Sequence, residues 1–213
     1  MDFHRGILPY KQEDNMSLCK KFEDKVLFDN FNCSIPDSGF VVFCGESGCG
    51  KTTLLNMIGC LERPDSGTII IDGIDIWRIK KKRELFSDKL GFLFQNFALL
   101  EGKTVAQNLQ IIQKKTRTET SVAAALEAVG LAKKANTKVY KLSGGEQQRV
   151  ALARLMLKKC DVILADEPTG SLDEDNAEMV MGILHLLNRM GKTVILVTHS
   201  EKIIKSESRV IRL

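Results

Sequence analysis

Residues 40–53 read Phe40-Val41-Val42-Phe43-Cys44-Gly45-Glu46-Ser47-Gly48-Cys49-Gly50-Lys51-Thr52-Thr53. The first five form an unbroken apolar run with the length of a buried strand. The next eight, Gly45 to Thr52, fit the pattern GxxxxGK[ST], and Leu54-Leu55-Asn56-Met57-Ile58 continue with helical character. Strand, glycine-rich loop and helix together are the context in which such a loop binds phosphate. The glycines let the chain curl until successive N–H groups point inward. The helix that follows adds the positive end of its dipole. In this reading Lys51 reaches the β- and γ-phosphates and the Thr52 hydroxyl serves Mg²⁺. Gly45, Glu46, Ser47, Gly48, Cys49, Gly50, Lys51, Thr52 and Thr53 are therefore the candidate nucleotide ligands.

Outward from this stretch, three more runs read as buried strands: GFLFQ at 91–95, VILAD at 162–166 and TVILVTH at 193–199. A helix is predicted over 174–190, ending before Gly191. Strands alternating with helices argue for a mostly parallel sheet covered on both faces. Two stretches interrupt the alternation. SG and DG turns bracket Thr68-Ile69-Ile70-Ile71, which predicts a hairpin-like pair of strands. From about 104 to 158, Ala, Leu, Lys and Glu dominate with helical spacing, as in SVAAALEAVGLAKKA, which predicts a helical lobe. Residues 78–89 are polar and basic and read as a further helix; Lys80-Lys81-Lys82-Arg83 within them reads as a solvated face.

Two other places carry chemistry. Val162-Ile163-Leu164-Ala165-Asp166-Glu167 ends a strand in adjacent carboxylates. Asp166 suits a Mg²⁺ shell, and Glu167 suits the general base that activates water. Alone, this is also what a strand running into a polar loop looks like; beside a phosphate loop the catalytic reading is the stronger. Leu142-Ser143-Gly144-Gly145-Glu146-Gln147-Gln148-Arg149 sets Ser143 and two glycines ahead of a helix, a second anion-binding N-terminus. A capping box of Ser143 and Glu146 explains the local pattern equally. It does not explain why one chain pairs this device with a phosphate loop.

LSGGEQQR resembles the signature motif of the ATP-binding cassette of ABC transporters. GESGCGKT resembles its Walker A and VILADE its Walker B with catalytic glutamate. Gln95 in GFLFQN resembles the Q-loop glutamine, Ser171-Leu172-Asp173 in EPTGSLD the D-loop, and His199 after VILVT the switch histidine. The resemblance runs from about residue 20 to the C-terminus. It implies one ABC ATP-binding domain over 1–213, of α/β class: a P-loop NTPase core with a mostly parallel sheet, an antiparallel β subdomain, and an inserted α-helical subdomain at about 97–158. It implies ATP and Mg²⁺ as cofactors, Glu167, His199 and Gln95 in catalysis, and Thr52, Gln95 and Asp166 at the metal. It further implies a homodimer in the ATP-bound state. Each ATP would lie between the Walker A of one copy and Ser143, Gly144 and Gly145 of the other. Gln95 would relay nucleotide state to a membrane permease subunit.

An aromatic side chain upstream of the Walker A strand usually stacks on adenine in this family. Phe22 fits best, with Tyr10 and Phe28 as rivals and core packing as the other role for Phe22. The chain departs from the family pattern at its start, where residues 1–19 show no alternating apolar strand. Cys49 occupies a variable position of the loop, where its thiol is a redox liability of modest expected effect.

Composition agrees with a soluble globular chain, 44% hydrophobic and 27% charged. A net charge of +4 is too mild for a dedicated nucleic-acid binder. No stretch has the 18 or so apolar residues that span a bilayer, and the N-terminus has no secretory apolar core. A cytoplasmic location is expected, peripheral on the inner face of the cell membrane. Cys19, Cys33, Cys44, Cys49, Cys60 and Cys160 match no zinc spacing and are expected to be free thiols.

EPTGSLD and the compact length resemble the group of macrolide exporters, lipoprotein-releasing systems and the cell-division cassette. LFQNFALLEGKTVAQNL is similar to cassettes of bacteriocin or antimicrobial-peptide exporters. The expected function is the ATP-hydrolysing subunit that powers export through a separate membrane subunit. The other reading is a non-transport mechanochemical ATPase of the cell-division type. DNA-repair and ribosome-associated cassettes fit less well, since they carry long coiled-coil insertions or two cassettes per chain.

Overall fold

The computed structural model describes residues 6–7, 17–23, 25–80, 82 and 85–213. Its strands are β1 (Gly6–Ile7), β2 (Leu18–Phe22), β3 (Lys25–Phe31), β4 (Ile35–Pro36), β5 (Phe40–Cys44), β6 (Ile70–Ile71), β7 (Ile74–Asp75), β8 (Leu90–Leu93), β9 (Val162–Asp166), β10 (Thr193–Val197) and β11 (Val210–Arg212). The α-helices are α1 (Lys51–Ile58), α2 (Val105–Gln110), α3 (Val122–Ala128), α4 (Gly144–Leu157), α5 (Glu174–Arg189) and α6 (Glu201–Ser206).

Five strands build one parallel sheet in the order β11-β5-β10-β9-β8. Every residue of β9 and β10 is buried, which is why these segments read as continuous apolar runs without polar alternation. Successive residues nevertheless serve opposite faces. Val41, Phe43, Leu164, Ile195 and Val197 pack with Leu54, Leu55 and Ile58 of α1. Val42, Ile163, Ala165, Val194 and Leu196 pack with α4 and α5 through Val150, Leu155, Val180 and Leu184.

Register brings the sheet's carboxyl ends into line. Val197 pairs with Phe43 on one side and Asp166 on the other. The segments that leave these strands, starting at Gly45, Glu167 and Thr198, therefore emerge side by side. That edge of a parallel sheet is where such folds bind ligands.

The predicted hairpin forms as β6 and β7, antiparallel, with Asp72 and Gly73 both at positive φ in the turn. β2 and β3 form a second antiparallel pair, and β1 pairs with β4. The alternating strand missing from residues 1–19 has its counterpart in β2, which begins only at Leu18; Tyr10 lies outside the described residues. Between 104 and 158 the chain forms α2, α3 and α4 joined by 3₁₀ turns. Thr104 with Gln107 and Ser143 with Glu146 complete capping boxes. The helix expected over 78–89 lies partly outside the described residues, and Leu85–Lys89 forms a π-helical turn. All six cysteines are free. Among the described residues no helix is long and apolar enough to cross a membrane.

Candidate nucleotide-binding and catalytic site

The loop between β5 and α1 needs its glycines for two distinct reasons. Gly48 and Gly50 have φ of +79° and +103°, a region L side chains rarely adopt. A Cβ on Gly50 would also lie 2.9 Å from the Phe28 ring, which is buried directly against the loop. Lys51 folds back over the loop. Its ammonium donates to the Gly45 carbonyl at 2.8 Å and the Glu46 carbonyl at 2.9 Å. Lys25 of β3 donates to the Gly48 carbonyl at 2.8 Å. Gly45, Glu46, Ser47, Gly48, Gly50, Lys51, Thr52 and Thr53 line a cleft of about 600 Å³, together with Leu27, Glu167 and His199.

Of the two carboxylates, Glu167 lines this cleft, while Asp166 does not line it and is joined to it through Thr52. The Thr52 hydroxyl donates to Asp166 Oδ1 at 3.2 Å. Asp166 is 9% exposed. Burial pushes its carboxyl above the usual carboxylate range; the Thr52 hydrogen bond opposes this, the negative Glu167 adds to it, and Lys51 opposes it. A hydroxyl and a buried carboxylate are hard oxygen donors, which fit Mg²⁺. Among the described residues no cluster of three or more His, Cys, Asp or Glu side chains could hold a metal ion alone.

Glu167 adopts φ +43°, costly for a residue with a side chain. The turn is held from several sides. Its N–H donates to the Val197 carbonyl at 3.0 Å. The Thr198 hydroxyl donates to Oε2 at 3.0 Å, the His199 N–H reaches the same oxygen at 3.4 Å, and His199 Nδ1 lies 2.7 Å from Oε1. The Glu167 side chain is 12% exposed and that of His199 71%, so the imidazole faces solvent over a sheltered carboxylate.

The remaining candidates lie apart from the cleft. Ser143 caps α4, accepting from the Glu146 N–H at 3.3 Å while Glu146 accepts from the Ser143 N–H at 3.1 Å. Lys134 pairs with Glu146. The Lys134 hydrogen bond holds the Glu146 carboxyl below its ordinary value, aided by the Ser143 N–H against the cost of burial. Ser143 and Gly144 are exposed, and none of Ser143, Gly144 and Gly145 lines the cleft. Gln95 is exposed just past β8, the strand beyond β9 at the sheet edge, and does not line the cleft either. Cys49 is half-buried against Gly45, where an added Cβ would meet its Sγ at 2.8 Å, so it packs within the loop and does not line the cleft.

Phe22 is 46% exposed at the end of β2, with the Lys20 ammonium 4.6 Å from its ring centroid, and is not among the lining residues. Phe28, a rival for adenine stacking, is 4% exposed under Gly50 and has no free face. Sequence reasoning missed Leu27, Lys25 and Thr198. Thr198 carried one available signal, a hydroxyl closing an apolar run beside His199.

A glycine-rich cradle with a lysine over it, a hydroxyl–carboxylate pair and a sheltered glutamate at the ends of parallel strands define a nucleoside-triphosphate-hydrolysing ATPase of the P-loop class. Comparison with known proteins narrows this. Residues 28–170 match the ABC transporter family model, described as "ABC transporter". The chain is 40% identical over 197 residues to the uncharacterized ABC transporter ATP-binding protein YvrO of Bacillus subtilis, covering 89% of this chain and 86% of that protein. It is 38% identical over 207 residues to the macrolide export ATP-binding/permease protein MacB of Campylobacter jejuni, covering 92% of this chain but only 32% of MacB. Its fold matches the dimeric structure of MJ0796, a bacterial ABC transporter cassette, with a TM-score of 0.82 and 35% identity over 98% of this chain and 94% of that one. A post-hydrolysis dimer of the same cassette, bound to ADP and Pi, matches at a TM-score of 0.79 and 34% identity over the same shares. The chain belongs to the ABC transporter family and is an ATP-binding, ATP-hydrolysing cassette.

Proposed function

We propose that this cassette works as a homodimer on the inner face of the membrane and drives a separate permease subunit that exports its cargo. The observation that carries the catalytic part is the Glu167 carboxylate, held by Thr198 and His199 within the cleft that the phosphate loop lines. Lys51 and the loop N–H groups bind the β- and γ-phosphates of ATP. Thr52 and Asp166 would hold Mg²⁺, which would offset the charge of the phosphate oxygens. Glu167 takes a proton from the attacking water, whose oxygen bonds to the γ-phosphorus as the bond to the ADP oxygen breaks, releasing ADP and inorganic phosphate. His199, exposed over that carboxylate, contacts the γ-phosphate.

Ser143, Gly144 and Gly145 stand outside the cleft of their own chain at an exposed helix N-terminus. Such a terminus serves anions, so these residues are read as completing the ATP site of a second copy. The dimeric MJ0796 cassettes support this assembly by analogy. Gln95 is read as contacting the metal shell only when the cassette closes, and as relaying that closure to the permease. MacB joins cassette and permease in one name, which supports a permease partner here. Phe22, exposed at the end of β2, is read as the adenine platform.

The test is size-exclusion chromatography with light scattering on Glu167→Gln, with and without ATP, beside its phosphate-release rate. The expected result is negligible turnover and an ATP-dependent shift from monomer to dimer. Wild-type turnover would remove Glu167 from the mechanism. A monomer at saturating ATP would remove the composite site.

A further inference from the structure

Gln148 lies in α4, five residues after Ser143, and is 1% exposed. An amide buried that deeply is costly unless it is hydrogen-bonded. Its Nε2 donates to the Pro168 carbonyl at 2.8 Å, while its Oε1 has no partner. This side chain is therefore kept for one bond, at the cost of an unpaired oxygen. Pro168 has no N–H, so that carbonyl is its only polar backbone group. Pro168 directly follows Glu167, whose left-handed backbone is already strained, and a proline narrows the conformations of the residue before it further.

The next residue of the same helix holds the other end of the same loop. Arg149 donates to the Asn176 side-chain oxygen, and Asn176 donates through its amide to Asp173 at 2.6 and 2.8 Å. Gly145 completes the contact, since a Cβ there would lie 3.0 Å from the Asn176 side chain. Residues 167–173 are thus tied to the start of α4 at both ends, by Gln148 near Glu167 and by Arg149 near Asp173. These ties do not run through the phosphate loop.

We infer that Gln148 is a positioning residue for Glu167: its amide clamps the Pro168 carbonyl, keeps the strained turn in place, and makes the carboxylate's position depend on the helix that Ser143 caps. The inference rests on Glu167 being the general base. A shift of the α4 N-terminus would pull both ends of the 167–173 loop together, so the seating of Ser143 and the aim of Glu167 change as one.

Gln148→Leu and Gln148→Met keep the apolar volume and remove the donor. ATP hydrolysis is measured as kcat and KM for both variants, beside the turnover of Glu167→Gln, with melting curves to show folding. Two variants are used because the longer, unbranched methionine accommodates the site if leucine does not. The expected result is a fall in kcat of about tenfold with KM within about twofold, since a buried hydrogen bond aiming the base is lost. If Glu167→Gln is inactive but a folded Gln148 variant turns over at the wild-type rate, the positioning role is overturned. It is equally overturned if the loss falls on KM with kcat intact. If Glu167→Gln itself remains active, the general-base reading fails, which is a distinguishable result.

Discussion

Removing the hydroxyl of Thr198 should disarm Glu167, the proposed general base, while leaving the fold standing. Thr198 is fully buried, and its Oγ1 makes two contacts: it donates to Glu167 Oε2 at 3.0 Å and accepts from the Ser200 N–H at 3.1 Å. Thr198→Val keeps the shape and deletes both. A hydrogen bond to a charged group is worth roughly 1.5–3 kcal/mol. Two contacts from His199 to the same carboxylate remain, so the net loss of aim is set at about 1.4 kcal/mol, or about tenfold in kcat. The lost hydrogen bond to the Ser200 N–H costs about 0.5–1 kcal/mol, which lowers Tm by about 1–4 °C in a chain of this size. Thr198→Ser, which keeps the oxygen, should stay near wild type in rate. Steady-state hydrolysis at saturating ATP and thermal melting read both effects. Wild-type kcat in Thr198→Val beside an inactive Glu167→Gln would remove Thr198 from the aiming of that carboxylate. So would a loss in Thr198→Ser as deep as that in Thr198→Val.

Two further outcomes follow from the geometry. Gly50→Ala forces a side chain onto φ +103° and to within 2.9 Å of the Phe28 ring; nucleotide titration should show at least about tenfold weaker ATP binding, with about 1–3 kcal/mol lost in stability. Glu146 has its carboxyl held below the ordinary value of 4.5, chiefly by Lys134. Because the folded value is depressed, this contribution is fully present above the unfolded value and is lost as pH falls through the folded one. Melting temperature should therefore drop more steeply below about pH 4.5 in wild type than in Lys134→Met, where the partner is gone.

The sheet was legible because burial on both faces leaves little room for polar residues. FVVFC and VILAD are the very bounds of β5 and β9, whereas β10 stops at Val197, two residues before the run TVILVTH ends, and β8 covers Leu90–Leu93 where the sequence predicts GFLFQ at 91–95. Phosphate loop and carboxylates were legible because each is local: a few residues in a row suffice to name the chemistry. What was hidden depends on partners distant in the chain. Phe28 read as a stacking candidate because nothing in the sequence says that Gly50 lies on its ring. Thr198 was absorbed into an apolar run, and its role exists only because Glu167, 31 residues earlier, turns toward it. The same holds for Gln148, which inside LSGGEQQR reads as one polar residue among several although its bond is to Pro168. The places of Gln95 and Ser143 outside the cleft depend on the packing of whole elements, which no local spacing encodes.

The order of the strands explains why Glu167 is strained at all. β10 lies between β5, which carries the phosphate loop, and β9, which carries Asp166. Two strand spacings, about 9–10 Å, separate the strand that delivers Glu167 from the one that delivers the loop. A residue continuing β9 in extended form would run past the cleft. At the left-handed Glu167 the N–H still bonds the Val197 carbonyl, and the side chain reaches Thr198 and His199, which follow β10. Pro168 narrows the alternatives and adds to the cost, which is of the order of 1–2 kcal/mol for the left-handed residue alone. A turn that unfavourable persists only while its surroundings hold it, and those surroundings are Thr198, His199 and, through Pro168, Gln148. None of the three bridges the sheet to either layer of helices through apolar packing. Losing Thr198 or Gln148, neither of which lines the cleft, should therefore relax the turn and misdirect the carboxylate without opening the core, which places the damage in kcat and spares both the affinity for ATP and the bulk of the stability.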